Sequence, residues 1–232
     1  MKKKIFISIL VIVFLGLSFK SHAQNALPAA NLILSWEANN YFPANYPLKA
    51  LATPTTPILV AAELIQDGKI IDTSKAEFRW YVNGELFSRG NGLKEILIQP
   101  SMPPIQISSY SIRTEVYLEK NQYENNLNIN LFKPVVVIDY PSMIKTFKDK
   151  DKIALQIVPY FFDVNNFSDF DFFWKINFEL QKQFNGKNAI LLTVDKNWAN
   201  TDNSFRLTAG VKDKKNFWSL PQETNLTFYI SP

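Results

Sequence analysis

Cysteine is absent from this chain of 232 residues, and histidine occurs only once. Without cysteine there can be no disulfide, no thiolate nucleophile and no cysteine metal site. The single histidine, His22, lies in an N-terminal segment that we expect to be removed, so the remaining chain also lacks the commonest general base. We therefore predict no cofactor and no enzymatic activity. The composition leaves a carboxylate-dependent hydrolase open as an alternative, because 21 aspartates and glutamates are present.

The N-terminus carries the three parts of a secretory signal peptide. Lys2–Lys4 supply positive charge, Ile5–Phe19 is an uncharged apolar run, and Ser21–Ala23 places small residues before a cleavage site at Gln24. The run is shorter than the about 20 residues that a transmembrane helix needs. We expect residues 1–23 to be cleaved, which predicts an extracytoplasmic protein, either secreted or associated with the envelope. The alternative is an uncleaved segment that anchors the chain in the membrane.

Net positive charge is also absent once that segment is set aside. Lys2, Lys3, Lys4 and Lys20 leave with the segment, so 21 basic residues stand against 21 acidic ones. Nucleic-acid binding depends on neutralising phosphates with an excess of lysine and arginine. The sequence therefore predicts no nucleic-acid partner.

The chain contains an internal repeat at an offset of 94 residues. Nine of twenty consecutive positions are identical between residues 78–97 and 172–191 without a gap, where chance gives about one. The shared residues, numbered in the first copy, are Phe78, Trp80, Asn83, Glu85, Leu86, Asn91, Gly92, Ile96 and Leu97. The match indicates a duplicated unit of about 100 residues.

Helical periodicity is missing after the signal peptide, and strand periodicity takes its place. Apolar and polar residues alternate in Ile112–Leu118 and in Leu127–Leu131, which is typical of an antiparallel sheet with one buried face. The strands predicted in the first copy are Leu32–Trp36, Ile58–Gln66, Glu77–Val82, Leu86–Ser88, Glu95–Gln99, Tyr110–Glu119 and Asn126–Leu131. Those predicted in the second copy are Val135–Asp139, Lys152–Tyr160, Phe170–Phe178, Ala189–Val194, Ser204–Lys212 and Asn225–Ile230.

About seven short strands with one tryptophan in the third long strand describe an immunoglobulin-like sandwich. We predict an all-β chain of two tandem immunoglobulin-like antiparallel β-sandwiches, one over residues 24–133 and one over residues 134–232. Trp80 and Trp174 are expected to form the structural core of one sandwich each. Because no disulfide is available, core packing alone must hold the sheets together.

The segment from Trp80 to Gly84, a tryptophan strand that runs into an Asn-Gly turn, resembles bacterial immunoglobulin-like and PKD-like modules of secreted and surface proteins. The stretch from Trp36 to Tyr46, followed by Lys49-Ala50-Leu51, is similar to uncharacterised exported proteins of candidate-phylum bacteria. The resemblance implies adhesion, spacing or assembly, and it implies no catalytic residues.

Oxygen-bearing side chains cluster between two predicted strands of the second copy. These residues, Asp163, Asn165, Asp169 and Asp171, are a weak calcium candidate because oxygen ligands at alternating loop positions suit Ca²⁺. The spacing lacks the glycine and the bidentate glutamate of an EF-hand loop. The alternative is a polar loop whose carboxylates stay solvated.

A second candidate is the loop of residues 213–223, where the repeat offset grows from 94 to 99 (Leu127 to Leu226), which indicates an insertion. The loop carries Lys214, Lys215, Phe217 and Trp218, and aromatic side chains beside lysines suit a partner or membrane surface. The alternative is that the aromatic residues fold back over the open end of the sandwich.

Aromatic residues also gather near the start of the first copy. Trp36, Tyr41, Phe42 and Tyr46 could stack on a sugar or a peptide, or they could brace a kinked edge strand beside Pro43 and Pro47.

These patterns predict an exported, non-enzymatic binding or structural protein of the cell envelope, with a protein or an envelope component as its partner. One alternative is a subunit of a surface filament or secretion machine, which an unpaired apolar edge strand would favour. The hydrolase alternative would be favoured by a pocket that holds two close carboxylates with raised pKa values.

Overall fold

The computed structural model describes residues 30–100, 107–140, 144–215 and 220–231. The predicted signal peptide lies outside these residues. Within the described ranges, no helix is long and apolar enough to cross a membrane.

The first half folds into two antiparallel sheets. Its strands are β1 (Asn31–Ala38), β2 (Ile58–Gln66), β3 (Lys69–Ile70), β4 (Glu77–Val82), β5 (Glu85–Asn91), β6 (Glu95–Ile98), β7 (Ser109–Leu118) and β8 (Asn121–Asn130). In one sheet β2 pairs with β1, β3 and β6, and in the other the order is β5-β4-β7-β8.

The second half also divides its strands between two sheets, one of three strands and one of five. Its strands are β9 (Val135–Asp139), β10 (Thr146–Phe147), β11 (Lys152–Tyr160), β12 (Phe170–Ile176), β13 (Glu179–Leu180), β14 (Ala189–Thr193), β15 (Ser204–Asp213) and β16 (Gln222–Ile230). One sheet has the order β9-β11-β14 and the other β10-β16-β15-β12-β13, in which β10 runs parallel to β16. Short 3₁₀ turns lie at Phe167–Asp169, Lys182–Phe184 and Lys196–Trp198.

This is the strand distribution of immunoglobulin-like domains: in the first half β1, β2 and β6 share one sheet and β4, β7 and β8 the other, and in the second half the corresponding groups are β9, β11 and β14 and then β12, β15 and β16. The prediction of an all-β chain with two tandem immunoglobulin-like sandwiches is confirmed. The buried residues of one apolar cluster range from Leu32 to Ile129, and those of the other from Val136 to Ile230.

Each sandwich has a tryptophan at its centre, and the two indoles have the same burial and the same hydrogen bond. Trp80 and Trp174 are both 0% exposed. The indole Nε1–H of Trp80 donates to the carbonyl oxygen of Leu93 at 2.8 Å, and that of Trp174 donates to Lys187 at 2.9 Å. Leu93 and Lys187 are themselves 94 residues apart, so the repeat extends to the hydrogen bond that satisfies each buried indole.

The turn after each tryptophan strand is also equivalent. Asn83 and Asn177 have φ angles of 52° and 46°, which asparagine tolerates better than most residues. The side-chain oxygen of Asn83 accepts from the N–H of Ser111 at 3.0 Å, and that of Asn177 accepts from Arg206 at 2.9 Å. Each asparagine therefore ties its turn to the neighbouring strand, β7 or β15.

Several strand boundaries differ from the sequence prediction. The two-residue strands β3, β10 and β13 were not predicted, because two residues show no alternation. Strand β8 begins at Asn121 rather than Asn126, since its first residues are mostly polar and exposed. Strand β12 ends at Ile176, because Asn177 and Phe178 both turn to positive φ.

Candidate functional site

Two loops that the sequence analysis singled out meet at one end of the second sandwich. Residues 161–169 follow β11, and residues 213–215 end β15 and begin the next loop; together we call them the loop end. The Nζ of Lys215 lies 2.7 Å from Oδ2 of Asp169. The backbone N–H of Lys214 donates to the Asp169 carbonyl at 2.9 Å, and its Nζ donates to the Ser168 carbonyl at 3.0 Å. The calcium candidate and the partner loop are therefore neighbours.

The four calcium candidates do not share one environment. Asp169 is buried and paired with Lys215, Asp163 is partly buried, and Asn165 and Asp171 are exposed. In the described part of the chain, no three histidine, cysteine, aspartate or glutamate residues are placed to hold a metal ion. The ammonium group of Lys215 already neutralises Asp169, which is the charge that a cation would otherwise balance.

Two further carboxyl groups belong to the loop end, those of Asp163 and Asp213. Asp213 is buried, and its Oδ1 accepts from the backbone N–H of Lys215 at 2.8 Å. Burial and, to a lesser degree, the nearby charge of Asp213 raise the pKa of Asp163 to about 6. This pair has one property that the hydrolase alternative requires, a carboxyl whose charged form is disfavoured.

The loop end also receives a segment of the first half. Tyr41 forms a β-bridge with Phe162, in which Tyr41 N–H donates to Phe162 at 2.8 Å and Phe161 N–H donates to Tyr41 at 2.6 Å. The Tyr41 ring packs edge-on against Phe170 with their centroids 5.0 Å apart, and it contacts the apolar cluster of the second sandwich. Burial raises the pKa of the Tyr41 hydroxyl.

Tyr46 extends this junction along the chain. Its ring meets Phe161 at 5.4 Å and Tyr160 at 5.9 Å, both in edge-on geometry. A cavity of about 530 Å³ opens beside it, and it is lined by Pro43, Asn45, Val137, Ile138, Asp139, Tyr140, Gln156, Val158 and Tyr160. Neither Asp163 nor Asp213 lines this cavity.

The four aromatic residues near the start of the first half do not form one stacking platform. Tyr41 and Tyr46 pack into the second half, and Phe42 packs against Tyr46 with centroids 5.8 Å apart. Trp36 stays on the first sandwich, where Lys49 Nζ lies 3.6 Å from its ring centroid. Tyr41, Phe42 and Tyr46 therefore form a brace between the two halves.

The remaining candidates of the loop of residues 213–223, Phe217 and Trp218, lie outside the described residues.

A network of charged and tyrosine side chains, which no sequence pattern predicts, lies on the outer face of the sheet β5-β4-β7-β8. Glu115 is 7% exposed although its side chain lies on this outer face, and it accepts from Tyr117 at 3.0 Å, from Tyr81 at 3.3 Å and from Arg113. The guanidinium of Arg113 lies 3.9 Å from the Tyr81 ring centroid, and that of Arg79 lies 4.5 Å from the Tyr117 ring. The alternation in β4 and β7 predicts that these side chains point away from the core. Their contacts with one another depend on the register of the two strands.

Comparison with known proteins gives structural likenesses only. No family model matches the chain, and no curated protein matches it. The three N-terminal domains of the bacteriophage RB49 Hoc outer capsid protein align over 87% of this chain and 70% of that one, with 14% identity and a TM-score of 0.32. A D1–D4 ectodomain fragment of ICAM-5 aligns over 87% of this chain and 47% of its own, with 10% identity and a TM-score of 0.32. Murine CEACAM1b aligns over 86% of this chain and 100% of its own, with 11% identity and a TM-score of 0.29. Likenesses this distant carry no argument about function.

Proposed function

We propose that this chain is an exported, non-enzymatic binding or structural protein of the cell envelope, in which two immunoglobulin-like domains form a braced unit for spacing, adhesion or assembly. The signal-peptide pattern supports export, and the resemblance to bacterial immunoglobulin-like and PKD-like surface modules supports the structural role. The similarity to exported proteins of candidate-phylum bacteria and the division at residue 134 stay predictions.

The observation that carries the proposal is the brace between the two halves. The bridge of Tyr41 to Phe162 and the ring contacts of Tyr46 build one segment of the first half into the second. Just before the connection, the N–H of Phe132 donates to the Ala52 carbonyl at 2.8 Å, which holds the end of the first half to the same loop that carries Tyr41 and Tyr46. A spacer must hold its ends at a set distance, and contacts beside a short connection restrict the motion that a free linker would allow.

The brace is tested by measuring the distance distribution between spin labels, one on each half. We expect a narrow distribution for the native chain and a broad one for a double variant with Tyr41→Ser and Tyr46→Ser. Leu48→Ser is the matched control, because Leu48 lies in the same segment and is 68% exposed. A broad distribution in the native chain would contradict the braced unit. Recovery of the protein from the cytoplasmic fraction of its own cells would contradict export.

Partner contact is assigned to the loop of residues 213–223. Its support is the position of Lys214 and Lys215 on the loop end, beside the brace, where both side chains are exposed. The test uses the double variant Phe217→Ser and Trp218→Ser in a pull-down from the envelope fraction. We expect captured envelope proteins to be lost while melting is unchanged. Capture that is unchanged together with unchanged melting would end this assignment.

A subunit of a surface filament or secretion machine is the second candidate function. The observation that favours it is an edge strand in the second sandwich: β14 pairs with β11, and no other described strand pairs with it. An unpaired edge offers backbone groups to a partner strand. Polymers in the envelope fraction that contain this chain would favour this role over that of a spacer.

A further inference from the structure

The backbone of β14 presents a row of hydrogen-bonding groups away from its own sheet. Asn188 accepts from Ile157 of β11 at 2.7 Å, and Val194 donates to Asp151 at 2.8 Å. In an antiparallel strand, alternate residues direct their N–H and C=O to the same neighbour. The even-numbered residues of β14 therefore face β11, and Ala189, Leu191 and Thr193 direct their backbone groups outward.

The side chains of this strand are uncharged, and all but Thr193 are apolar. No charged residue occurs from Asn188 to Val194. Leu191 is 57% exposed on the outer face of the sheet, and a cavity of about 340 Å³ on that face is lined by Asp139, Ala154, Leu155, Gln156, Ala189, Ile190 and Leu191. An exposed apolar side chain on an edge strand without charge is an arrangement that natural sheets usually avoid.

The equivalent edge in the first sandwich carries charge instead. Strand β6 likewise pairs only with β2 among the described strands, and Leu97 stands at the repeat position of Leu191. However, Glu95 occupies the position that Ala189 has in β14, Lys94 precedes it, and Pro100 follows the strand. Charge and proline on an edge discourage pairing with another strand. Of the two equivalent edges, only β14 is left unguarded.

We propose that β14 pairs with β14 of a second copy of this chain, antiparallel and centred on Leu191. This register sets Leu191 opposite Leu191 and sets Ala189 opposite Thr193 of the other copy. Each of these pairs exchanges two N–H···O bonds, because these are the residues whose backbone groups face outward. The two three-stranded sheets then become one continuous sheet with two-fold symmetry.

Charge complementarity selects both the occupant and the register. A two-fold axis at Leu191 aligns Lys187, which precedes β14, with Asp195 of the other copy, which follows β14, and the same pair recurs on the other side of the axis. Asp195 is extended, with a φ of −119° and a ψ of 122°, and its Oδ1 also accepts from the backbone N–H of Asn197 at 2.9 Å. A shift of the axis to Ile190 would instead set Lys187 opposite Thr193, and a shift to Leu192 would set Asp195 opposite Ala189. Only the register centred on Leu191 therefore aligns a lysine with an aspartate at both ends of the uncharged segment.

The inference goes beyond the proposed function and does not depend on export or on the brace. A contact of one short strand buries less surface than a standard interface of about 800 Å² per partner, so the dimer is weak. The experiment is sedimentation velocity over a concentration series up to about 1 mM, on protein expressed from the full-length sequence and purified in the form that the cells leave it. We expect reversible dimerisation by the native chain.

Two sets of variants test the register. Leu191→Lys places two ammonium groups opposite one another and is expected to weaken dimerisation at least tenfold, whereas Leu97→Lys at the matching position of β6 leaves it unchanged. Lys187→Asp and Asp195→Lys are each expected to prevent self-association, because each homodimer then faces like charges. A mixture of those two variants restores both opposite-charge pairs and is expected to form the heterodimer. Melting curves confirm that each variant is folded.

Three results would overturn the inference. The native chain could remain monomeric at the highest concentration, Leu97→Lys could weaken association as much as Leu191→Lys, or the mixture could stay monomeric. None of these results bears on the distance distribution between the two halves or on the cell fraction, so the proposed function is judged separately.

Discussion

Lys215 Nζ lies 2.7 Å from Asp169 Oδ2, and this ion pair joins the two loops that close one end of the second sandwich. The aspartate side chain is 12% exposed and the lysine side chain is 70% exposed. The pair is therefore asymmetric, with a buried carboxylate held by a cation that remains largely in water.

Replacing Lys215 with methionine should destabilise the protein, because it leaves the buried carboxylate of Asp169 without its partner. We expect a loss of about 1–2 kcal/mol in the free energy of unfolding, measured by urea denaturation. Lys150→Met is the control, since Lys150 pairs with Asp149 at 3.6 Å on the surface, and there we expect less than about 0.5 kcal/mol. Equal losses in the two variants would contradict the structural role of the Lys215 pair.

Trp80→Ala and Trp174→Ala should be about equally damaging, because the two indoles fill equivalent sites. Each is expected to lower the free energy of unfolding of its own sandwich by about 3–5 kcal/mol. Calorimetry of the two variants would show which transition moves. A large effect for one tryptophan and a small one for the other would contradict the equivalence of the two cores.

The stability of the second sandwich should fall as pH rises through the pKa of Asp163. That pKa is raised to about 6 in the folded protein, against about 3.9 in an unfolded chain. Between these two values the folded state binds more protons than the unfolded state, so stability is fully present below about pH 4 and is lost as pH rises through about 6. Allowing for the partial exposure of Asp163, the loss is about 1–2 kcal/mol.

Asp163→Asn is the variant that isolates this effect. It should remove the part of the decline that falls between about pH 5 and 7, a window in which the carboxylates with lowered pKa values, Asp72, Glu77, Asp149 and Asp202, are all ionised. Melting temperatures across this window provide the measurement. An unchanged pH profile in the variant would show that Asp163 is not the group responsible.

Gly210→Ala should destabilise the second sandwich through a clash across the sheet. Phe173 lies opposite Gly210 in register, and an added Cβ would lie 2.0 Å from Cζ of its ring. We expect a loss of about 1–3 kcal/mol, part of which Phe173→Leu should recover in the double variant. In the first sandwich, Gly90→Ala is the control, because its added Cβ would meet Leu93 at an ordinary 3.7 Å. A neutral Gly210→Ala would mean that the Phe173 ring moves freely.

The positions of the long strands and of the buried tryptophans could be predicted from the sequence. The alternation in β7 and β8 is a local pattern, because successive side chains of a strand point to opposite faces whatever strand lies beside it. The repeat of Trp80 at Trp174 is visible as sequence identity alone. The same reasoning missed β3, β10 and β13, since two residues contain no period. It also missed the start of β8, where both faces carry mostly polar residues.

The candidate residues could be named from the sequence, but their arrangement could not. Asp169 and Lys215 were assigned to two separate sites, and only the folded structure shows that they form one ion pair. The sequence leaves open whether Tyr41 and Tyr46 form a ligand platform, and their contacts with Phe170 and Phe161 make them a brace between the two halves. The buried environment of Glu115 depends on the register of β4 and β7, which no short sequence pattern contains.

What the sequence determined by itself is the β architecture, the duplication and the site of each core tryptophan, because these follow from periodicity and identity along the chain. What only the tertiary structure decided is which loops meet, how the halves are braced and which strands lie at the edges of their sheets. Those features depend on contacts between residues that are far apart in sequence, and such contacts are determined by strand register and sheet packing rather than by local preference.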